Sequence, residues 1–367
     1  MSIYQPRLRI LKPTLDSIVI STVVINKPSR QSFFVTQVPR RHRELISRGH
    51  LASKDYLASR GYLTIANTKH HNILFYLRIQ PRQPQFTRSL NMSSKLVPSK
   101  PSEVAVIRNI TPNIVTVSVP FARFGIFRVG GRGTIIRLTS GTLAVYSPTA
   151  LTPEAQAKVV ELGGRVGYII AGDIEHHIFL SEWARAYPNA KLLGPKGLQE
   201  KREKVQDDPR IGHEPFAFTW DASNRRDAAG VSDEFAADFE VEFVDAHPNK
   251  EVVLFYKPDR ALIQADLLFN LPAIEQYSRV PEAEKSSHGL LNRTFQALNS
   301  TAGEAKGLKR FLWYAVSRAD RAGFNESVRR IAAWDPEIIV PCHGETVEKD
   351  GGELFRKVFD WHLQGHK

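Results

Sequence analysis

The chain has 367 residues, of which 42% are hydrophobic, and its formal net charge is +12 at pH 7. This length supports one large hydrophobic core, and no apolar run approaches the roughly 20 residues that a membrane span requires, so we expect no membrane partner. The lone cysteine, Cys342, excludes an intramolecular disulfide framework and is typical of a reducing compartment.

The positive charge is concentrated in the first quarter of the chain. Residues 1–91 contain 15 lysines and arginines against 3 acidic residues, so this segment accounts for the whole net charge. It shows no sustained strand or helix period. We therefore predict a basic, poorly structured extension at 1–91 and a folded domain at 92–367.

Three interpretations of this extension stay open. Its richness in Arg and Ser and its few acids are typical of a mitochondrial transit segment, and its charge would also suit an arm that binds nucleic acid. Met92 opens a stretch that is typical of an N-terminus, which favours an artefact of the gene model. We expect a cytoplasmic protein, or a mitochondrial one if the segment is a transit peptide, with nucleic acid as a partner only through these residues.

Strands and helices alternate in the first half of the domain. β-Branched residues predict strands over 113–125 and 133–148, and Gly141 predicts a hairpin turn within the second segment. Thr152 as a cap, Pro153 at the first helical position and Gly163 after the end predict a helix. The later patterns predict a strand, an amphipathic helix and a further strand, over 165–171, 179–188 and 190–195.

The second half repeats this organisation. Apolar patterning predicts strands over 216–220 and 239–247, then a strand pair over 251–269 with its tight turn at 257–260. The remaining elements are a helical region in which Asn325 is a cap, a strand and a closing amphipathic helix, over 286–334, 337–344 and 351–363. Two β-rich halves that each end in helices predict a layered α/β sandwich with its helices outside.

Four predicted strands end in histidine or aspartate. Because strand ends emerge at the edges of a sheet, we expect these side chains to lie in loops on a rigid scaffold. Imidazole and carboxylate groups are ligands that zinc and iron accept, so their repetition predicts a metal site. The residues, in chain order, are Asp173, His176, His177, Asp245, His247, Asp266 and His343.

The order of these residues resembles the metallo-β-lactamase superfamily, and most closely a divergent branch known mainly as DUF4336. The superfamily has a first motif His-x-His-x-Asp-His, then a lone His, an Asp after a strand pair and a His after the last strand. Residues 245–270 are the most specific match, since they contain the lone His, the strand pair and the Asp. The resemblance implies a four-layer αββα sandwich whose metals lie at one edge between the two sheets.

The first motif departs from the superfamily pattern. When it is aligned on His177, its two leading histidines fall on Gly172 and Ile174, and its aspartate is replaced by His176. Two of the three ligands of the first metal position are then absent, and His247 is the third. The resemblance therefore implies one metal ion at most, zinc or iron.

The ligands that the resemblance implies are His177, Asp266 and His343, with His176 or His247 in addition. We predict a metal-dependent hydrolase that acts on an unidentified small molecule or ester. Asp173, Glu175 or Asp245 would be its base. Tyr277 and Lys257 are candidate substrate contacts, the first in the loop after Asp266 and the second in the turn of the strand pair. The alternative is a catalytically inactive binding or scaffold protein in which the histidines form a hydrogen-bonded cluster.

Overall fold

The computed structural model describes residues 100–281 and 289–365, together with the backbone of four strands nearer the N-terminus. The chain divides into two compact units, Met1–Ser89 and Leu90–Lys367. The first unit contains an antiparallel sheet in the order β2-β1-β4-β3. Its strands are β1 (Ser17–Lys27), β2 (Arg30–Pro39), β3 (Tyr62–Ala66) and β4 (Leu74–Arg78). The rest of the predicted extension lies outside the described residues, and its targeting and nucleic-acid interpretations stay predictions.

The second unit contains the remaining strands and the helices. Its strands are β5 (Val106–Asn109), β6 (Ile114–Val119), β7 (Ala122–Arg123), β8 (Phe127–Arg128), β9 (Gly131–Arg137), β10 (Leu143–Tyr146), β11 (Val166–Ile170), β12 (Lys191–Pro195), β13 (Phe218–Trp220), β14 (Phe239–Val244), β15 (Glu251–Tyr256), β16 (Ala261–Gln264) and β17 (Ile338–Pro341). Its helices are α1 (Pro101–Val104), α2 (Pro153–Glu161), α3 (Leu180–Ala186), α4 (Leu198–Glu203), α5 (Asp233–Asp238), α6 (Leu290–Leu298), α7 (Lys306–Phe311), α8 (Arg321–Ala333), α9 (Gly351–Val358) and α10 (Asp360–Gln364). A 3-10 turn spans Glu275–Tyr277, and a π-helical segment, Leu312–Val316, continues α7. Among the described helices, none combines the length and the apolar character that a membrane crossing needs.

Two mixed sheets form the centre of this unit. One has seven strands in the order β13-β12-β11-β10-β9-β6-β5, and the other has four in the order β14-β15-β16-β17. The two predicted hairpins are confirmed, since β9 pairs antiparallel with β10 and β15 pairs antiparallel with β16. A short ribbon, β7 with β8, stands apart from both sheets.

The two sheets pack face to face, and helices cover their outer faces. The inner cluster joins Ile136 and Ile170 of the larger sheet to Phe243 and Ile263 of the smaller one. A second cluster packs α2, α3 and α4 on the outside of the larger sheet, and a third packs α7, α8 and α9 on the outside of the smaller sheet. The predicted αββα sandwich is confirmed, and this arrangement fixes the shared edges at which strand-end loops meet.

Three local predictions need correction. Helix α8 begins at Arg321, and its cap is Asp320, whose Oδ1 accepts a hydrogen bond from Gly323 N at 2.9 Å, so Asn325 lies inside the helix. The closing amphipathic segment is two helices that meet at Phe359. In β14, apolar residues alternate with Glu240 and Glu242, which predicts a polar face for the two acids. Glu242 is instead buried, because α8 covers that face and Ser327 Oγ donates to it at 2.6 Å.

Stability at acidic pH is expected to depend on His362, which is fully buried with Nε2 3.0 Å from Ser317 Oγ. Burial, assisted by the nearby positive charge of Arg321, lowers the pKa of His362 from 6.5 to about 4. Between these values the unfolded chain binds a proton that the folded protein excludes, so stability falls as the pH falls. From about pH 7.5 to about pH 4.5 this group is expected to cost roughly 2 to 3 kcal/mol of unfolding free energy.

The matched variant is His362→Gln, whose amide can still bond to Ser317. Its loss of stability between the two pH values should be smaller than that of the wild type by that amount, measured by urea unfolding. Equal losses in the two proteins would show that His362 is not held neutral by the fold.

Candidate metal centre

The sheet topology brings four loops to one edge of the sandwich. Strands β14, β16 and β17 run in the same direction, so their C-terminal loops leave from the same edge. The loop after β11, in the other sheet, meets them through Ile174 N, which donates to Asn249 O at 3.0 Å. The side chain of Asn249 in turn donates to Asp266 Oδ2. The predicted convergence of strand-end loops therefore takes place.

Three of the predicted side chains form a cluster with metal-binding geometry. His176 Nε2 lies 3.2 Å from His343 Nε2, and His343 Nε2 lies 3.0 Å from Asp266 Oδ1. One ligand atom from each of the three residues lies within 4.8 Å of the others. This is the one such group in the parts of the chain that the structure describes.

The hydrogen bonds behind the two histidines fix which ring nitrogens carry protons. His343 Nδ1 lies 2.6 Å from the carbonyl oxygen of Gly130, and His176 Nδ1 lies 2.9 Å from Asp173 Oδ1. Because both oxygens only accept, each Nδ1 carries a proton, and each ring in its neutral form presents a lone pair at Nε2. A histidine that donates its rear N–H to a carbonyl or carboxylate is the usual arrangement of a metal ligand.

Asp266 completes this donor set. Its Oδ2 accepts from Asn249, whereas its Oδ1 is buried and accepts no hydrogen bond. When both rings are neutral, three lone pairs converge, with His343 Nε2 about 3 Å from each of the other two, and a cation among them, a proton or a metal ion, would relieve the repulsion. The residues present fit one divalent ion, which two nitrogens and one oxygen would hold.

Buried carboxyl groups shape the electrostatics of the cluster. Burial alone would lower the pKa of His176, but Asp173, Asp266 and Glu251 outweigh it and raise that pKa to about 9. Burial alone would raise the pKa of Asp266, but the charges of His176 and His343 hold it well below its usual range. Burial and the two aspartates raise the pKa of Glu251 well above its usual value. The surroundings therefore favour a positive charge, carried by a proton or by a metal ion.

His177 does not join the cluster, although the first motif predicted it as a ligand. Asp173 Oδ1 accepts from the backbone N–H groups of Glu175 at 2.7 Å and His176 at 2.8 Å, and this turn directs His176 to the cluster. The carbonyl oxygen of His177 accepts from Arg202 Nη1 at 2.7 Å, and the residue lies in the wall of the cavity beside the cluster. Burial, with the nearby charges of Lys201 and Arg202, lowers the pKa of His177 to about 3, so this ring is neutral.

His247 also stays outside the cluster. Its Nδ1 accepts from Asn249 N at 3.2 Å and lies 3.8 Å from Glu251 Oε2, while its ring stacks on Phe324. Burial lowers the pKa of His247. His247, which the resemblance implies as a ligand, thus helps to shape the loop whose Asn249 orients Asp266.

The three acids that were candidates for the base have different surroundings. Asp173 is fully buried and is absent from the cavity wall, so it is placed to orient His176 and not to reach a substrate. Glu175 lies in the cavity wall and is paired with Lys201 at 2.7 Å. Asp245 is paired with Lys250 at 2.8 Å, away from this cavity.

The two predicted substrate contacts do not line the cavity. Lys257 lies at the far end of β15 from Glu251, roughly 20 Å along the strand, and its Nζ donates to Ala236 O. This distance removes Lys257 from the candidate site. Tyr277 lies behind the wall, where its hydroxyl donates to Phe121 O at 2.7 Å.

Gly172, at the place of the first histidine of the motif, has no room for a side chain. A Cβ atom on Gly172 would lie 2.5 Å from Tyr146 Oη and 2.6 Å from Ser147 Oγ, so no side chain fits at this position. The tyrosine hydroxyl is fixed by its hydrogen bond to Val252 O at 2.8 Å. The geometry therefore agrees with a site for a single ion.

Sequence reasoning missed the residues that hold the His343 loop. Arg132 is buried, and its Nη1 donates to Pro341 O at 2.6 Å and to Gly344 O at 2.7 Å. Gln276 Nε2 donates to Cys342 O at 2.9 Å. A basic residue inside the apolar pattern of β9 was the one available signal, because a buried arginine requires partners.

A cavity of about 280 Å³ opens beside the cluster. His176 and His343 lie in its wall, whereas Asp266 lies behind them. The other lining residues come from α1, β6, the β7–β8 ribbon, β9, the loop after β10 and the segment before α3. A small molecule in this cavity would therefore meet the histidine face of the cluster.

Two packed sheets, helices on both outer faces and a histidine–aspartate cluster at their shared edge define a metallo-β-lactamase-like fold. Residues 124–197 match the model of one family, described as a domain of unknown function (DUF4336). The resemblance predicted from the strand-end residues is thereby confirmed for this segment.

Several solved structures are similar to this chain. One is a metallo-β-lactamase from Pontibacter korlensis, with 13% identity and a TM-score of 0.44 over 71% of this chain and 100% of that one. A second, from Hirschia baltica, has 10% identity and a TM-score of 0.43 over 70% and 97%. The metal-soaked Flv1 flavodiiron core from Synechocystis sp. PCC6803 has 12% identity and a TM-score of 0.46 over 70% and 60%. Comparison with curated proteins finds no match.

Proposed function

We propose that this protein is a metal-dependent hydrolase in which His176, Asp266 and His343 hold one divalent transition ion, zinc or iron. The observation that carries the proposal is the convergence of three lone pairs, with both rear N–H groups already donated to oxygen atoms. A divalent ion at such a site supplies Lewis-acid polarisation and the activation of water.

The surrounding residues have distinct roles in this proposal. His176 and His343 present their faces to the cavity, so a substrate would approach from that side. Asp173 keeps the His176 ring in one tautomer and orientation. Glu175 is the only carboxylate in the cavity wall among the described residues, and it is our candidate proton acceptor. Three protein ligands with one open side are typical of catalytic sites and not of closed structural ones.

The alternative function is a binding or scaffold protein without catalysis. It is favoured by the 3.2 Å separation of His176 Nε2 and His343 Nε2, which a single shared proton would turn into a hydrogen bond. The cluster would then be a polar anchor between the two sheets.

The test uses the full chain, stripped by chelation and reloaded with zinc or iron, against a panel of carboxylic esters, thioesters, lactones and phosphoesters. We expect metal to raise the melting temperature and to restore hydrolysis of one substrate class. Glu175→Gln should lower kcat by about 100-fold or more. Asp245→Asn, which changes a paired carboxylate outside the cavity, is the matched control.

Two results would decide against the hydrolase. Tight metal binding without hydrolysis of any class would favour the scaffold, and hydrolysis that survives both chelation and His343→Ala would contradict the role of the cluster.

A further inference from the structure

The cavity wall beside the cluster is mainly apolar. Small-molecule sites are typically apolar with a few placed polar groups, and 280 Å³ is near the lower end of their usual size. Such a wall favours the apolar body of a ligand. The apolar lining includes Val119, Phe121, Phe124, Pro148, Ile178 and Phe179.

Arg123 lies in this wall, and the N–H groups of its guanidinium are available to bind a ligand. Its side chain is 41% exposed, and its nearest carboxylate oxygen, on Glu175, is 3.7 Å away. Within the described residues its guanidinium makes no hydrogen bond. Arg132, the other arginine in the wall, donates to Ser118, Pro341 and Gly344 and is fully buried.

Glu175 does not neutralise Arg123, because a second cation competes for it. Lys201 Nζ donates to Glu175 Oε1 at 2.7 Å, a shorter contact than the one to Arg123. These three side chains sum to one positive charge at the cavity. A guanidinium with free donors matches the two oxygens of a carboxylate, which it binds in a fork.

The ribbon that carries Arg123 is held in place. Phe127 of β8 packs on Phe295 of α6 with ring centroids 4.6 Å apart, and Asn292 Oδ1 accepts from Arg128 N at 2.9 Å. At the tip, Phe124 has a φ of 55°, an unfavourable conformation for a bulky residue, while its ring lines the cavity.

The geometry points to a substrate class, and this inference rests on the proposed function: a small apolar ester that carries a carboxylate. Its apolar body would lie against Phe121 and Phe179, its carboxylate on Arg123, and its ester group at His176 and His343. Hydrolysis adds one water across the acyl C–O bond and gives an acid and an alcohol. A proton of the water passes to Glu175 and then to the departing alkoxide oxygen.

Binding is tested first on the metal-free full chain by calorimetry, so that a carboxylate cannot bind to a metal. Phenylbutyrate should bind about tenfold more tightly than acetate, which lacks the apolar body, and than phenylbutanol, which lacks the charge. Arg123→Gln should weaken the binding of phenylbutyrate about tenfold and leave the binding of phenylbutanol unchanged. Arg123→Lys should lose less affinity, because it keeps the charge but not the paired hydrogen bonds of a guanidinium.

The matched control is Arg137→Gln, which also removes one arginine charge. Arg137 lies at the end of β9 away from the cavity, so this variant should bind phenylbutyrate and phenylbutanol as the wild type does. Three results would each overturn the inference. They are equal affinities for phenylbutyrate and phenylbutanol, no binding of phenylbutyrate, or an affinity for phenylbutyrate that is unchanged in Arg123→Gln.

Activity of the metal-loaded protein separates this inference from the proposed function. Monophenyl glutarate, an anionic ester, should have a kcat/KM about tenfold above that of neutral phenyl butyrate, and Arg123→Gln should remove the difference. If both esters are hydrolysed equally, the hydrolase stands and the substrate class fails. If phenylbutyrate binds through Arg123 and neither ester nor any other class is hydrolysed, the proposed function fails and the anion site stands.

Discussion

Replacing Asp266 or His343 with alanine is expected to lower the affinity of the protein for Zn²⁺ by more than about 100-fold, because orienting groups alone contribute 10- to 100-fold and these residues are direct ligands. Each change removes one of three donors that lie within 4.8 Å of one another. Competition with a chromogenic chelator at fixed pH measures the change. Circular dichroism of each variant shows whether it is folded.

A graded series makes this prediction sharper. Asp173→Asn keeps an oxygen behind His176 Nδ1 but removes its charge, so it should lower Zn²⁺ affinity by about 10- to 100-fold. His177→Gln should leave Zn²⁺ affinity unchanged, because His177 contributes no atom to the group of ligand atoms that lie within 4.8 Å of one another. A loss in His177→Gln as large as that in Asp266→Ala would restore the ligand set implied by the sequence.

Arg132→Met is expected to destabilise the fold by roughly 2 to 5 kcal/mol, because two buried carbonyl oxygens lose their charged donor. Arg132 is fully buried, and its Nη2 lies 3.3 Å from Glu275 Oε1. Methionine would leave the buried carbonyl oxygens of Pro341 and Gly344 without their donor, whereas Glu275 would keep its bonds from Arg108 and Ser118. Urea unfolding followed by circular dichroism measures the difference in free energy.

The control is Arg137→Met on the exposed end of the same strand, which should change stability by no more than about 0.5 kcal/mol. Arg132→Lys provides a milder variant if the methionine variant does not fold. Its loss of unfolding free energy should still be most of that of Arg132→Met, because an ammonium group cannot reach all of the acceptors. A loss below about 1 kcal/mol for either variant of Arg132 would contradict its role as the anchor of the His343 loop.

Much of the fold follows from local signals in the chain. Thr152 accepts from Ala155 N at 3.2 Å at the start of α2, as the capping pattern predicts. The hairpins and the apolar strands also lie where the periodicity of the sequence places them. These features depend on near neighbours, so a single sequence contains them. Asn325 failed as a cap because Asp320 lies earlier in the same chain segment and caps α8 first.

The choice between the two adjacent histidines depends on a turn that no local pattern reveals. Asp173 accepts three hydrogen bonds with one oxygen, and the resulting backbone path turns His176, and not His177, toward Asp266 and His343. An alignment of the first motif on its final histidine cannot show that His176 takes the place of His177 in the cluster. The convergence itself was predictable, because each ligand follows an apolar strand.

The supporting residues come from distant parts of the chain. Arg132 bonds Pro341 across 209 positions of sequence, and that contact exists only once both sheets have packed. Asn249 reaches Asp266 because β15 and β16 return the chain to the same edge. Their side chains are ordinary polar residues in the sequence, and only the tertiary fold gives them partners.

The most direct measurement is anomalous X-ray diffraction at the zinc edge from crystals of the full chain grown with Zn²⁺. We predict one strong peak, at about 2.0 to 2.2 Å from His176 Nε2, His343 Nε2 and Asp266 Oδ1, with His177 outside its coordination sphere. A peak bound by His177 or His247, or no peak where these three side chains meet, would contradict a single metal ion at this edge of the sandwich.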